Sequence, residues 1–274
     1  MIVSAAAGGT MTADVVGWPV VAASLVLVGL AFVVGLWLQL GIGRELLVAS
    51  ARAAVQLLGV GVVFAAAFAS QGAIVLAWLW VAAMVVVAGV VVGRRAGSSL
   101  RRVSMIGGLT VLVATLVSLA VTFGSGAVTY GPVSLVVTAG ITIGNALPTT
   151  VLAVKVSVDA CRRQRGEIEA LLALGLDRGG VVRYLAPPAA RAAMIPQVEK
   201  TKVVGLIALP GAMTGLLLAG VDPVEAVLVQ LLVMYLVLGS VALCVVIVVP
   251  AVMRSAVDPE LGAAPWVTPA EPLG

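Results

Sequence analysis

The sequence predicts an all-α, polytopic transmembrane helix bundle. Hydrophobic residues make up 62% of the 274 residues and charged residues only 10%, whereas about a quarter of an average soluble domain is charged. The apolar residues are mainly aliphatic, and 31 glycines accompany them. Such a mixture lets helices approach closely in lipid. Together these features predict a multi-pass protein of the cell (plasma) membrane.

The uncharged runs predict seven spans, each of which needs about 20 residues. The run 53–93 is twice that length, so it must fold as a hairpin, with a turn at 70–72. Glycine and proline at 124–126 and 131–132 separate the fourth and fifth helices, and the charged loop 222–225 separates the last two. The predicted helices lie near 18–40, 53–69, 73–92, 104–123, 132–154, 203–221 and 226–253.

Lysine and arginine predict the orientation, because cytoplasmic loops carry an excess of both. With the N-terminus outside and the C-terminus cytoplasmic, all 16 Lys and Arg residues lie on the cytoplasmic side. The external segments then keep only Asp14, Asp222 and Glu225. We expect a transmembrane domain over 1–254, which includes a cytoplasmic segment at 155–202, followed by a short cytoplasmic tail at 255–274.

The composition excludes several functional classes. The sequence contains no histidine, which excludes His-based catalytic triads, the HExxH zinc motif and imidazole metal sites. Cys161 and Cys244 have no spacing typical of a disulfide or a metal site, and we interpret both as structural. Basic residues are scattered rather than clustered with aromatics, so nucleic acid is not an expected partner. No GxxxxGK[ST] sequence occurs, so any nucleotide site must lie on another polypeptide. We expect no directly bound cofactor and no enzyme activity.

Residues 155–202 form the one long charged segment. Gly175 is placed to cap an amphipathic helix that continues from the fifth span, with a positive φ. Asp177 is placed as the N-cap of a second short helix, which Pro187-Pro188 would end. A solvated linker is the alternative interpretation. The apolar residues of the first helix recur at helical spacing and are Val154, Val158, Cys161, Ile168 and Leu172.

This segment resembles the EAA loop of ATP-binding-cassette permeases. The resemblance rests on the string from Glu169 to Gly175, followed nine residues later by Leu185-Ala186-Pro187-Pro188. In that superfamily the loop is a coupling helix that docks onto an ATPase subunit. A rigid helical connection can convert ATPase movement into movement of the attached spans, which a flexible linker could not do. The resemblance implies coupling roles for Glu167, Glu169, Ala170, Gly175, Leu185, Pro187 and Pro188.

The chain from about 52 to 249 is similar to the iron-export permeases of bacteria, whose plant relatives are linked to aluminium tolerance. The resemblance rests on several ordered strings: Gln56-Leu57, Gly144-Asn145-Ala146, Arg191-Ala192-Ala193, 202–206, and above all 209–215 with the sequence LPGAMTG. Leu147 and Ala212 stand where that family commonly has methionine. These departures remove two soft sulfur atoms that could bind a metal.

The resemblance implies a permease subunit of an ATP-binding-cassette transporter that exports iron or another metal ion. It would form a homodimer and work with separate ATPase subunits that carry the ATP. An ion-gradient-driven secondary transporter is one alternative, although no acidic residue lies inside a predicted span. A non-transporting membrane scaffold or sensor is another.

Polar and helix-weakening residues within the spans are candidates for a substrate pathway, because polar groups in lipid usually face a protein interior or a route for substrate. Asn145, Pro148 and Thr149 lie within two turns of the fifth span, and Pro148 frees a backbone carbonyl. Hydrogen bonding between helices is the alternative role. The pattern identifies no set of metal ligands. The candidate pathway residues are Gln56, Asn145, Thr149, Pro210, Gly211 and Met213.

Overall fold

The computed structural model describes residues 18–41, 43–68, 72–96, 101–258, 260 and 262–267. In these ranges the regular structure is helical, which confirms the predicted all-α membrane bundle. The helices are α1 (Trp18–Trp37), α2 (Gly43–Phe68), α3 (Ala73–Ala96), α4 (Arg101–Gly124), α5 (Pro132–Arg163), α6 (Arg165–Ala173), α7 (Arg178–Lys202), α8 (Gly211–Leu218) and α9 (Pro223–Arg254), followed by a 3-10 turn (Pro265–Val267).

Among the described residues, five helices are long and apolar enough to cross a membrane. They are α2, α3, α4, α5 and α9, and α1 contributes a shorter apolar segment, Leu25–Trp37. The predicted continuous helix at 203–221 is wrong. Residues 203–210 form a loop, and α8 has only eight residues, about 12 Å of helix. The count of seven spans and the orientation of the termini stay predictions.

The chain divides into two compact units, residues 1–71 with 211–226 and residues 72–210 with 227–274. In the first unit α1 packs against α2, and a Cβ on Gly43 would lie only 2.8 Å from the Phe32 ring. α2 begins ten residues before its predicted start and takes in Arg44 and Arg52. The prediction placed this boundary too late because it began the helix at the uncharged run. Long basic side chains near a helix end can extend to water, so a charged residue need not lie outside the helix.

The first unit also contains α8 and the start of α9. At the end of α8, Gly220 has φ +81°, and its N–H donates to Leu217 O at 3.1 Å. The Asp222 carboxylate Oδ1 then accepts the N–H of Val224 at 2.9 Å and caps α9. A charged tight loop was predicted here, and the helix cap gives it a physical basis.

In the second unit α3, α4 and α5 pack against one another. The close approach expected of small residues is present between α3 and α4, where a Cβ on Gly108 would lie 3.0 Å from Gly89 Cα. α9 joins this group through its Ser240 hydroxyl, which lies 2.6 Å from the hydroxyl of Ser118. Cys161 and Cys244 are both free and buried, in keeping with their structural interpretation.

The segment after the fifth span differs from its prediction in two places. α5 ends at Arg163, and a break at Gln164 (φ −100°, ψ 24°) separates it from α6. α7 does not end at Pro187-Pro188 but continues to Lys202. The reason is tertiary packing, which overrides local helix breakers. The apolar residues buried on α7 lie on both sides of this proline pair and are Val181, Val182, Leu185, Ala189 and Ala193.

The described part of the predicted tail packs into the core. Val257, Ala264 and Val267 are buried. The Ala264 N–H donates to Ala256 O at 2.8 Å, and the Trp266 indole Nε1–H donates to Ser255 O at 2.9 Å. We call residues 255–267 the C-terminal hook.

Candidate functional site

α6, the turn after it and the first two turns of α7 form a helix, turn and helix at the end of α5. We call residues 165–185 the bracket. Its turn is closed by a Schellman motif at Gly175, which has φ +85° as predicted. The Gly175 N–H donates to Leu172 O at 2.9 Å, and the Leu176 N–H donates to Leu171 O at 3.1 Å. The last carbonyls of α6 are thus satisfied within the turn.

Asp177 is the N-cap of α7, as predicted. Its Oδ1 accepts the N–H of Gly180 at 2.8 Å. The cap satisfies one of the N–H groups that a helix start leaves without a partner. With both helix ends capped, the two arms of the bracket leave the turn in fixed directions.

The inner face of the bracket is buried in the largest apolar cluster of the second unit. Ile168 of α6 and Val181 of α7 are fully buried, and Leu185 is only 2% exposed. The cluster also contains Met253 of α9 and Val267 of the C-terminal hook. The bracket is therefore fixed to the ends of two long helices rather than suspended as a linker.

The outer face of the bracket is polar and accessible. Glu167 and Glu169 are exposed, and so is Ala170. The Arg165 Nε donates to Glu169 Oε1 at 2.7 Å, and the Gln164 amide donates to Glu167 Oε2 at 3.2 Å. Three of the predicted coupling residues, Glu167, Glu169 and Ala170, therefore lie on the accessible side of α6.

Three other predicted coupling residues lie on α7 rather than on α6. Leu185 is in the chain's own core, where it holds the bracket in place. Pro187 and Pro188 are exposed but lie inside α7, beyond the bracket. Next to them is a groove of about 340 Å³ between α5 and α7, which the sequence analysis missed. Its lining residues are Val156, Ala160, Arg163, Gln164, Pro188 and Ala189.

Asn145 and Thr149 of the candidate pathway lie one turn apart on α5. The Asn145 Nδ2–H donates to Ile141 O at 2.8 Å, and the Thr149 hydroxyl donates to Asn145 O at 3.4 Å. The Nζ of Lys200 on α7 donates to Asn145 Oδ1 at 3.4 Å. Sequence reasoning missed Lys200, because the proline pair indicated that the helix carrying it had already ended.

This contact bears on the predicted cytoplasmic segment 155–202. Asn145 was placed in the middle of a span and Lys200 in the cytoplasmic segment, yet the two side chains touch. α7 runs antiparallel to α5, since Ala189 lies near Ala160 and Lys200 lies near Asn145. The segment 155–202 therefore does not stay at one end of the bundle.

The remaining pathway candidates are distributed over both units. In the second unit Pro210 ends the loop at 203–210. In the first unit Gln56 is exposed on α2, Gly211 begins α8, and Met213 is half-buried on α8. Within the described ranges no group of three Asp, Glu or Cys side chains is placed to hold a metal ion.

Comparison with known proteins identifies the family. The family model described as "Uncharacterised protein family (UPF0014)" matches residues 18–257. The chain belongs to the UPF0014 family. This UPF0014 chain is a multi-pass protein of the cell membrane, and the resemblance to iron-export permeases is confirmed by its relatives. No solved structure matches it.

Two plant relatives cover 80% of the chain, and a bacterial relative covers about half of it. STAR2 of Oryza sativa subsp. japonica is 35% identical over 225 residues, which are 80% of this chain and 76% of the relative. Protein ALUMINUM SENSITIVE 3 of Arabidopsis thaliana is 32% identical over 80% of each chain. The probable iron export permease protein FetB of Escherichia coli K12 is 32% identical over 51% of this chain and 54% of FetB.

Proposed function

We propose that this chain is the membrane-spanning permease subunit of an ATP-binding-cassette transporter. Two copies pair around one route, and separate ATPase subunits supply the energy and hold the ATP. The cargo is iron or another metal ion, moved out of the cell, since the relative FetB is described as a probable iron export permease.

The bracket is the observation that carries the proposal. Its outer face presents Glu167 and Glu169 to water, while Ile168 between them is fully buried. A force applied to the outer face therefore passes through packed side chains to α5 and α9, with no flexible connection between. This is the mechanical property that a subunit driven by an external ATPase requires.

Purification with an ATP-binding-cassette ATPase from the same genome tests the proposal. We expect the two proteins to co-purify, and ATP hydrolysis in liposomes to rise when cargo is present. Gly175→Val should uncouple hydrolysis from transport, because a β-branched residue at φ +85° costs about 1–2 kcal/mol and distorts the turn. The variant should still insert in the membrane.

Gly126→Val is the matched control. Gly126 has φ +69° in the turn between α4 and α5, so the substitution introduces similar backbone strain at the opposite end of α5. Coupling should be retained in this variant. Equal coupling in the wild type and Gly175→Val would show that the bracket is only a linker.

Glu169→Lys tests the docking surface itself. The substitution removes the pair with Arg165 and reverses one charge on the outer face. We expect weaker association with the ATPase, while Glu169→Gln, which removes the charge without reversing it, should have a smaller effect. Normal association of Glu169→Lys would place the docking surface elsewhere.

A further inference from the structure

The Lys200 ammonium group lies beside the middle part of α5, a helix long and apolar enough to cross a membrane. Asn145 is the fourteenth of the 32 residues of α5, about 20 Å from one end of the helix and about 27 Å from the other. The hydrocarbon core is about 30 Å thick. Any placement in which α5 crosses this core completely therefore puts Asn145 inside it. Lys200 Nζ is 3.4 Å from Asn145 Oδ1 and shares that depth.

The positive charge of Lys200 has no counter-charge in the described ranges. Lys200 donates to a neutral amide oxygen, whereas the nearby Lys202 pairs with Glu199 at 2.7 Å. The last turn of α7 thus carries one net positive charge. An ammonium group at this depth is costly unless it faces water, a protein interior or an anion. The Lys200 side chain is exposed on the chain, so it faces a space outside its own helix pair.

The donors at this position fit an oxyanion. A lysine ammonium has three N–H donors, of which Asn145 Oδ1 takes one. The Asn145 amide has two N–H donors, of which Ile141 O takes one. Hydrogen bonds from an ammonium group to a carboxylate are among the strongest in proteins. A free metal cation, in contrast, is repelled by an ammonium group.

We propose that Lys200 and Asn145 form an anion-binding site on the transport route, and that the cargo passes it as a metal chelated by a polycarboxylate rather than as a free cation. The proposal rests on the proposed permease function and names the substrate class for that route. Lys200 supplies the charge, and Asn145 both positions the ammonium group and offers an amide N–H.

Binding to the full-length chain in nanodiscs of neutral phosphatidylcholine tests this proposal without an ATPase. The probes are citrate alone, ferric citrate and ferrous ion alone, measured by calorimetric titration. We expect citrate and ferric citrate to bind the wild type. Lys200→Gln should weaken both about tenfold, the scale of one charge-assisted hydrogen bond, and Lys200→Arg should retain most of the binding.

Lys202→Gln is the matched control, because it removes the same charge from the same helix end but from a residue that Glu199 already neutralises. Its affinity for citrate should equal that of the wild type. Three results would overturn the site: equal citrate binding by the wild type and Lys200→Gln, equal losses in both variants, or binding of ferrous ion alone that is at least as tight as that of ferric citrate.

Two further measurements distinguish a cargo site from a lipid site, and a failure of the cargo site from a failure of the proposed permease function. If citrate binds in nanodiscs without anionic phospholipid but not in nanodiscs that contain it, Lys200 binds a lipid headgroup. That result would overturn the cargo site. Failure of the ATPase to associate would sink the permease function, yet it would leave the binding measurement unchanged.

Discussion

At one end of the α5–α7 pair Ile168 and Leu185 are buried and both bracket helices are capped, whereas at the other end Lys200 is exposed and the chain leaves the helix altogether. In the loop after Lys202, Leu206 is 90% exposed. The first end has the construction of a rigid lever. The second has exposed polar groups on α7 and an irregular loop in place of a capped turn.

The largest effect on stability should appear at the closed end, on truncation of a packed side chain in the bracket. Leu185→Ala is expected to cost about 2–4 kcal/mol of unfolding free energy, because it leaves a cavity in the core under the bracket. Leu174→Ala is the control, since Leu174 is 78% exposed. Its cost should stay within about 0.5 kcal/mol. Thermal unfolding in detergent compares the two, and similar losses would refute a packed bracket.

The helix cap should have the next largest effect. Asp177→Ala removes the acceptor of the Gly180 N–H and should cost about 1 kcal/mol. Asp159→Ala serves for comparison, because Asp159 forms only an exposed pair with Arg163 at 3.8 Å. That pair contributes roughly 0–1 kcal/mol. If Asp159→Ala lowers the unfolding free energy at least as much as Asp177→Ala does, the Asp177 cap does not contribute to the rigidity of the bracket.

A smaller effect is expected in the C-terminal hook. Trp266→Phe removes the N–H donated to Ser255 O and should lower stability by about 0.5–1.5 kcal/mol. Trp78→Phe removes a similar bond, to the Tyr130 hydroxyl, but at an exposed position outside the buried core. Melting curves should therefore shift more for Trp266→Phe. The reverse order would mean that the hook is not part of the closed end.

The smallest effect on stability is expected at the open end. Asn145→Leu removes hydrogen bonds to Ile141 of its own helix and to the exposed Lys200. The unfolding free energy should change by less than about 0.6 kcal/mol, the mean value for polar contacts in membranes. Transport per folded molecule should nevertheless fall. Loss of stability with transport intact would assign Asn145 to packing and erase the contrast between the ends.

The sequence predicted the membrane class, the Gly175 and Asp177 caps and the buried apolar spacing, because each depends on local chemistry or on composition. It did not predict the break at Gln164, because the apolar helical spacing continues across that residue from Cys161 to Ile168. The prediction also ended α7 at Pro187, because the packing that stabilises the rest of this helix comes from contacts with α5. Lys200 was misplaced for the same reason: its neighbour Asn145 is 55 residues away in sequence.

The C-terminal hook also bears on how the protein is made. The apolar cluster under the bracket gathers residues from Val92 to Val267. During synthesis the ribosome therefore releases Val267 more than 80 residues after the bracket itself. Until Val267 has emerged, the bracket lacks part of its packed support, so it becomes rigid later than its own sequence is made.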